Sequence, residues 1–179
     1  MKVESLNNIM LDIETLGTKP GCVILSVGGV RFGKEIGDTF SATIDLQDSI
    51  DRGFKIDAST LRWWLSQSGE SKEVFSEAGE PVSVVLQRFS RWCGKRPFIW
   101  GNSPSFDCSI LFAAYRMVGK DAPWHWYDER CYRTAKRILP FVASYREGVH
   151  HNALDDAMTQ AKHLVKCFEV LGSLESAAE

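Results

Sequence analysis

Apolar and polar residues alternate near the start of the chain, and the alternation predicts β-strands. At residues 7–14 branched apolar residues alternate with Met10, Asp12 and Glu14, which is the period of a strand whose second face becomes polar only at its end. Residues 22–32 predict a long second strand in which Gly28 and Gly29 suggest a bulge or a close contact. Residues 38–46 predict a third, half-exposed strand. The short connections predict an antiparallel meander.

Helical spacing of apolar residues dominates the rest of the chain. It predicts a short helix over 61–68 capped by Ser59 or Thr60, a helix from Pro81 to Gly94, a helix over 106–118 closed by Gly119, a basic helix from a cap at Asp128 to Leu139, and a last helix over 152–171 ended by Gly172. Short apolar runs at 97–101 and 123–127 predict two more strands, and 141–150 predicts a loop.

Three antiparallel strands followed by helices that alternate with further strands predict an α/β fold with a mixed sheet of five to six strands. The length of 179 residues fits one domain spanning residues 1–179. We expect the tail at residues 173–179 to fray.

Composition narrows the class of protein. Hydrophobic residues make up 44% and charged residues 25% of the chain, and no apolar run approaches the ~20 residues of a membrane span. The N-terminus lacks the apolar core of a signal peptide, and five scattered cysteines without a C-x-x-C pair predict reduced thiols. We therefore expect a cytoplasmic protein with no membrane partner. A net charge of −2 disfavours wrapping of a long duplex but permits binding of one strand end.

Asp12 and Glu14 form the first candidate site. Alternation along a strand places both carboxylates on one face, roughly 6.5–7 Å apart between Cα atoms, so the two side chains can converge on one cation. A strand end that enters solvent is the favoured interpretation of the D-x-E pattern when it is considered alone. Asp107 follows the predicted strand at 97–101, and it fits either a helix-dipole acid or a third ligand at the sheet edge.

The third candidate patch opens the last predicted helix. It contains His150, His151, Asp155 and Asp156, and helical geometry places the two acids on opposite sides of the apolar stripe. Periodicity alone therefore does not show which of Asp155 and Asp156 is the functional acid. The flank of Asp156 continues through Gln160, whereas the flank of Asp155 continues through lysines, so we favour Asp156.

These motifs resemble those of the DEDDh family of exonucleases. D-I-E near the N-terminus, N-x-x-x-F-D after a buried strand and H-x-A-x-x-D at the last helix match the order of the three family motifs across nearly the whole chain. Within that family the chain is most similar to compact phage and prophage 3′-to-5′ exonucleases, related bacterial exoribonucleases and the exonuclease VIII group. The resemblance implies a ribonuclease-H-like fold.

The resemblance also implies roles for individual residues. Asp12, Glu14, Asp107 and Asp156 would hold two Mg²⁺ or Mn²⁺ ions, His151 would be the general base, and Thr15, Leu16, Phe106 and Trp64 would contact substrate. His150 and Asp155 have the same spacing as His151 and Asp156, so a register one residue earlier stays open. Hard oxygen ligands suit these ions, and a histidine can accept a proton at neutral pH.

The function expected from this site is metal-dependent hydrolysis of phosphodiester bonds from the 3′ end of single-stranded DNA, with nucleoside monophosphates as products. An exoribonuclease and a non-catalytic nucleic-acid-binding module are the alternatives. One of Trp63 and Trp64 can stack on a base or form a subunit contact, which leaves a homodimer open. Arg130, Arg133 and Arg137 predict a basic helical stripe, for which a solvated face is the favoured interpretation.

Overall fold

A mixed five-stranded sheet organises the molecule. The computed structural model describes residues 7–177, with side chains through Ser173. The strands are β1 (Asn8–Thr15), β2 (Ile24–Phe32), β3 (Ile36–Thr43), β4 (Phe98–Gly101) and β5 (Glu129–Cys131). Their spatial order is β3-β2-β1-β4-β5, with antiparallel pairing among the first three and parallel pairing of β1 with β4 and of β4 with β5. The predicted α/β class and mixed sheet are confirmed.

Six α-helices within residues 7–177 surround this sheet. They are α1 (Leu46–Asp51), α2 (Ala58–Leu65), α3 (Val82–Cys93), α4 (Asp107–Met117), α5 (Tyr132–Ile138) and α6 (Ala153–Ala177), with 3-10 helices at Glu70–Phe75 and Trp126–Asp128. None of the helices formed by residues 7–177 has the length and apolar character of a transmembrane span. All five cysteines are free, and only Cys131 is not fully buried.

The two faces of β1 belong to different apolar clusters. Ile9, Leu11 and Ile13 pack in the cluster that includes α3 and α4, whereas Met10 packs in the cluster that includes α6. Because side chains alternate along a strand, the row that begins at Met10 continues to Asp12 and Glu14 on the α6 side. The apolar pattern therefore directs both acids toward the last helix.

Gly28 permits the close approach of α6 to the sheet. A Cβ atom at this position would lie 2.3 Å from the carbonyl carbon of Ala153, at the start of α6. The glycine predicted a bulge or a close contact, and the structure has the close contact, while the register shift in the β1–β2 pair lies between Glu14 and Thr15. The contact brings the first turns of α6 against the strand that pairs with β1.

Several predicted boundaries are wrong for identifiable reasons. The helix expected over 61–68 begins at Ala58, because the side chain of Asp57 accepts a hydrogen bond from the Ser59 amide at 2.8 Å and caps it. Helix α1 lies in a segment for which the sequence analysis predicts no helix. It begins after Asp45, whose carboxylate accepts a hydrogen bond from the amide of Asp48.

The strand predicted at 123–127 is also wrong. The aromatic residues of this run pack without forming a strand: buried Trp124 packs on Tyr115, while Trp126 and Tyr127 stack on each other in solvent. The fifth strand comes later, at Glu129–Cys131. Asp128 does not cap the basic helix, because its carboxylate accepts hydrogen bonds from Arg96. That helix begins at Tyr132 instead.

Helix α6 continues past its predicted end. The helix passes through Gly172 and reaches Ala177, because a glycine in a helix costs only about 1 kcal/mol and ends it chiefly when it adopts a left-handed conformation. The frayed tail predicted for 173–179 stays a prediction, since residues 178–179 and the side chains from 174 onward lie outside the described part of the chain.

Candidate active site

Four predicted acids and both adjacent histidines line one cleft of about 700 Å³ at the carboxyl edge of β1 and β4. The cleft is bounded by Asp12, Ile13, Glu14, Asn102, Ser103, Ser105, Phe106, Asp107, Arg133, Arg146, His150, His151, Asp156 and Gln160. The acids come from three separate segments of the chain. Open α/β sheets place their ligand sites at this kind of edge.

Asp107 enters the cleft from the first turn of α4, which follows β4. Its side chain is 4% exposed. Burial raises the pKa of Asp107 to about 7, and hydrogen bonds from the backbone amides of Ser103, Asp107 and Ile13 act in the opposite direction. The Ile13 amide belongs to β1, so Asp107 is held directly against the strand that bears Asp12 and Glu14.

Burial and the charges of neighbouring carboxylates raise the pKa values of both strand acids. Burial, followed by the charges of Asp107, Glu14 and Asp156, raises the pKa of Asp12 well above its usual range. Burial and the charges of Asp156 and Asp107 raise the pKa of Glu14 to about 8. Buried acids that repel one another require compensating cations.

His151 is the histidine that lies beside the acids. One ligand atom from each of Glu14, His151 and Asp156 lies within 4.8 Å of the others, whereas His150 is exposed and its carbonyl accepts a hydrogen bond from the Ser71 hydroxyl. His151 has a left-handed backbone with φ of 60°, a conformation that is uncommon outside glycine. Burial, and then the charge of His150, lowers the pKa of His151, which favours the neutral ring that a general base needs.

The structure separates Asp155 from Asp156. Asp156 lines the cleft and pairs with Arg146. Asp155 lies outside the cleft lining and accepts a hydrogen bond from the Val149 amide at 2.7 Å. Its carboxyl group leaves no room for a side chain at Gly148, which has a φ of 77°. Asp155 therefore shapes the loop before α6, and the geometry agrees with the register that joins His151 to Asp156.

Gln160 is a cleft residue that sequence reasoning noted only as a neighbour of Asp156. Its Nε2 donates a hydrogen bond to Asp12 Oδ1 at 3.2 Å, and its buried Oε1 has no partner among the described residues. The helical spacing of four residues from Asp156 is a signal that could have identified it. A buried carbonyl oxygen without a donor, beside four carboxylates, fits a site that holds hydrated divalent cations.

The predicted substrate residues occupy different environments. Phe106 lines both the acidic cleft and a neighbouring pocket of about 380 Å³, which it shares with Thr15 and the two tryptophans of α2. Leu16 is 1% exposed. Its amide donates a hydrogen bond to the Val23 carbonyl, and its carbonyl accepts one from the Asp57 amide. Leu16 is therefore a core residue, and the substrate contact predicted for it stays a prediction.

The two tryptophans divide between core and pocket. Trp64 is 1% exposed and its indole nitrogen donates to the Thr15 carbonyl at 2.8 Å, so this ring supports β1 from within the core. Trp63 is 42% exposed, and the centroid of its ring lies 4.7 Å from the centroid of the His151 ring. Solvent therefore reaches the Trp63 ring more readily, whereas the substrate contact predicted for Trp64 stays a prediction.

The three predicted arginines do not form one helical stripe. Arg130 lies on β5 with its guanidinium over the Phe98 ring, whereas Arg133 and Arg137 lie on α5. Of the three, only Arg133 lines the cleft. Arg146, which also lines the cleft, lies in an aperiodic loop that offered no sequence pattern.

A comparison with protein families matches nearly the whole chain. Residues 7–168 match the family described as the 3'-5' exoribonuclease Rv2179c-like domain. Two DNA polymerases III of the PolC type are also similar, from Listeria monocytogenes (29% identity over 119 residues, 65% of this chain) and Listeria welshimeri (30% over 112 residues, 62% of this chain). The chain spans only 7% of the length of either polymerase.

Solved nuclease structures share the fold. Cell-death related nuclease 4 superposes with a TM-score of 0.61 at 11% identity, covering 91% of this chain and 64% of that protein. The nuclease domain of 3'hExo, a DEDDh family member bound to rAMP, gives 0.58 at 14% identity, covering 90% and 91%. Exonuclease X in complex with 5' overhanging duplex DNA gives 0.58 at 15% identity, covering 92% and 93%.

Proposed function

The chain belongs to the 3'-5' exoribonuclease Rv2179c-like family, and from this premise we propose that it is a 3′-5′ exonuclease of the DEDDh type and propose its substrate, its cofactors and the roles of its residues. The substrate is the 3′ end of single-stranded DNA, and the products are nucleoside monophosphates. The observation that supports this proposal best is the convergence of four acids and His151, from three segments of the chain, in one cleft.

Asp12, Glu14, Asp107 and Asp156 are the proposed metal ligands. Four carboxylates balance the charge of two divalent ions, and their oxygen atoms suit Mg²⁺ or Mn²⁺. When bound, such ions stabilise the attacking and leaving oxygens of a phosphodiester displacement. Gln160 holds the Asp12 carboxylate in place through its Nε2 group.

His151 is the proposed general base. It accepts the proton of the water that attacks the terminal phosphodiester, and the lowered pKa of the ring keeps it able to do so at neutral pH. The edge-to-face contact with Trp63 limits rotation of the imidazole ring. His150, in contrast, faces solvent and has no proposed role in proton transfer.

The neighbouring pocket offers a place for the terminal nucleoside. It adjoins the acidic cleft through Ile13, Glu14 and Phe106. A terminal base and sugar in this pocket would leave their phosphate over the acids. The Trp63 ring at the pocket wall can stack on a base of any identity, so this pocket supports binding of a strand end without base pairing.

RNA is the second candidate substrate. The family is described as exoribonucleases, whereas both listerial relatives are named as DNA polymerases. Discrimination between the sugars would depend on contacts to the 2′-hydroxyl group. A non-catalytic binding module is not retained, because the chain belongs to an exonuclease family and has all four acids and the histidine.

Digestion of matched DNA and RNA single strands tests the proposal. Each strand is labelled at its 5′ end or its 3′ end and is incubated with Mg²⁺, with Mn²⁺ or with a chelator. We expect the 3′ label to be released first as a mononucleotide, the 5′ label to remain on progressively shorter strands, and the chelator to stop both changes. Faster digestion of RNA than of DNA would contradict the sugar preference and favour the second candidate.

A further inference from the structure

Arg146 places a guanidinium group in the acidic cleft, although neither the family motifs nor the helical pattern include it. The residue lies in the loop between α5 and α6 and lines the cleft. Its Nη2 group donates hydrogen bonds to Asp156 Oδ1 and to the Val149 carbonyl. The side chain remains 37% exposed, so it can reach a ligand that enters from solvent.

The backbone that follows Arg146 is fixed to α6. The amide of Glu147 donates to the Thr159 hydroxyl, which in turn donates to the Glu147 carbonyl, both at 3.2 Å. The Val149 amide donates to Asp155 at 2.7 Å. Thr159 is buried and the three hydrogen bonds are partly buried, so water has limited access to them. They hold the Arg146 backbone at the mouth of the cleft, although the segment lacks regular secondary structure.

The substrate requires positive charge at this mouth. A phosphodiester approaching four carboxylates meets a repulsive field, and metal ions neutralise only the carboxylates that they bind. Among the described residues, the cleft lining has two arginines, Arg133 and Arg146, and no lysine. Arg146 forms an ion pair with the proposed metal ligand Asp156, whereas Arg133 acts on Asp107 through its charge without an ion pair between described residues. A phosphate bound at metal ions on these acids would therefore lie within reach of Arg146.

The guanidinium geometry suits this ligand. Both hydrogen bonds of Arg146 with described residues use Nη2, which leaves Nε and Nη1 for an anion. Arginine presents its donors as a planar fork that matches two oxygens of one phosphate. We propose that Arg146 binds the non-bridging oxygens of the phosphate of the terminal nucleotide. This role rests on the proposed exonuclease function and adds a substrate-binding residue to it.

The test combines kinetics with nucleotide binding. Arg146→Gln removes the charge, Arg146→Lys keeps the charge without the fork, and Arg91→Gln alters an exposed arginine on α3 as a control. On a 3′-labelled single strand, Arg146→Gln should lower kcat/KM by about 10- to 100-fold, Arg146→Lys should restore part of this loss, and Arg91→Gln should match the wild type.

Binding is measured by calorimetry with adenosine 5′-monophosphate and with adenosine, in the presence of Mn²⁺. The wild type should bind the monophosphate more tightly than the nucleoside, and Arg146→Gln should lose most of this difference while its affinity for adenosine stays the same. Circular dichroism and the melting temperature show whether each variant is folded.

Two results would overturn the role of Arg146. Unchanged kinetics and unchanged monophosphate affinity would show that it does not bind the phosphate. A faster rate with tighter Mn²⁺ binding in Arg146→Gln would show that the arginine competes with metal for Asp156. An inactive wild type would instead contradict the proposed function, and the comparison of monophosphate with nucleoside would still decide whether Arg146 recognises phosphate.

Discussion

The cleft has two halves that are built differently. In one half, Asp12 and Glu14 lie on a central strand, and Asp107 begins the helix that follows the neighbouring parallel strand. In the other half, His151 lies in a loop with a left-handed backbone, and Asp156 lies one turn into α6. The first half is positioned by the sheet, whereas in the second half Asp156 is positioned by α6 and His151 by individual hydrogen bonds of its loop.

This difference has a physical consequence. Strand alternation and parallel pairing place the side chains of the strand half through many bonds at once, so no single side chain outside the site is essential to their geometry. The loop half depends on a few contacts, among them the bond from Val149 to Asp155 and the cap that Asn152 provides for α6. We expect the loop half to be the more sensitive of the two to substitutions outside the cleft.

The largest effect is expected in the strand half. Asp107→Asn removes one charge from the proposed metal site while keeping the size of the side chain, and cleavage should fall below detection because a neutral amide binds divalent cations weakly. Asp128→Asn is a matched control, since Asp128 is also buried but pairs with Arg96 outside the cleft. Release of a 3′ label measures both variants. A folded Asp107→Asn variant with full activity would exclude this acid from the site.

The two histidines provide the next test, in the loop half. His151→Ala should lower kcat by about 10²- to 10⁴-fold, the usual contribution of a general base. His150→Ala should lower it by less than about tenfold, because this ring faces solvent. Single-turnover rates on a labelled strand measure the difference. The reverse ranking would mean that the functional register lies one residue earlier.

Asp155 tests the sensitivity of the loop half to a residue outside the cleft. Asp155→Ala leaves the Val149 amide without its acceptor, a loss of about 1–3 kcal/mol when such a group stays buried. We expect roughly tenfold slower cleavage, because this loop bears His151 and Arg146. Asp155→Asn keeps an acceptor oxygen and should restore most of the rate. Equal rates for Asp155→Ala and the wild type would show that the loop does not need this bond.

The smallest catalytic effect is expected for the exposed tryptophan. Trp63→Ala should raise KM about fivefold, equivalent to ~1 kcal/mol of lost stacking, with little change in melting temperature. Trp64→Ala should instead destabilise the fold by about 3–5 kcal/mol, because its ring is buried. Thermal melts and KM measurements separate the two effects. A larger loss of stability in Trp63→Ala than in Trp64→Ala would contradict the assignment of core and pocket.

Prediction from sequence succeeded where a residue lies on a regular element. The period of β1 predicted the common face of Asp12 and Glu14, and the apolar run of β4 predicted where Asp107 would meet them. Prediction was incomplete where a single contact determines the position of a side chain. Periodicity could not choose between Asp155 and Asp156, and no pattern in residues 141–150 indicated Arg146, whose position depends on hydrogen bonds to residues further along the chain.

Aromatic residues produced the remaining errors. The apolar run around Trp124 predicted a strand, although the rings there pack and stack without strand pairing. The sequence does not indicate which of the adjacent residues Trp63 and Trp64 is buried, because both are tryptophans. The hydrogen bond from Trp64 to the Thr15 carbonyl determines which ring is buried. Which of two like side chains is buried and which is exposed can be determined only from the packed structure.

Metal binding by Asp12→Asn, compared with the wild type, tests the central claim most directly. Thermal melts are recorded without metal and with increasing Mn²⁺. In the wild type Mn²⁺ should raise Tm, because ions that bind only the folded state stabilise it. Without metal, Asp12→Asn should melt at a higher temperature than the wild type, because the substitution removes a buried acid that neighbouring carboxylates repel. Its Tm should not respond to Mn²⁺. An Asp12→Asn variant that Mn²⁺ stabilises as strongly as the wild type would contradict the claim that these acids form a metal site.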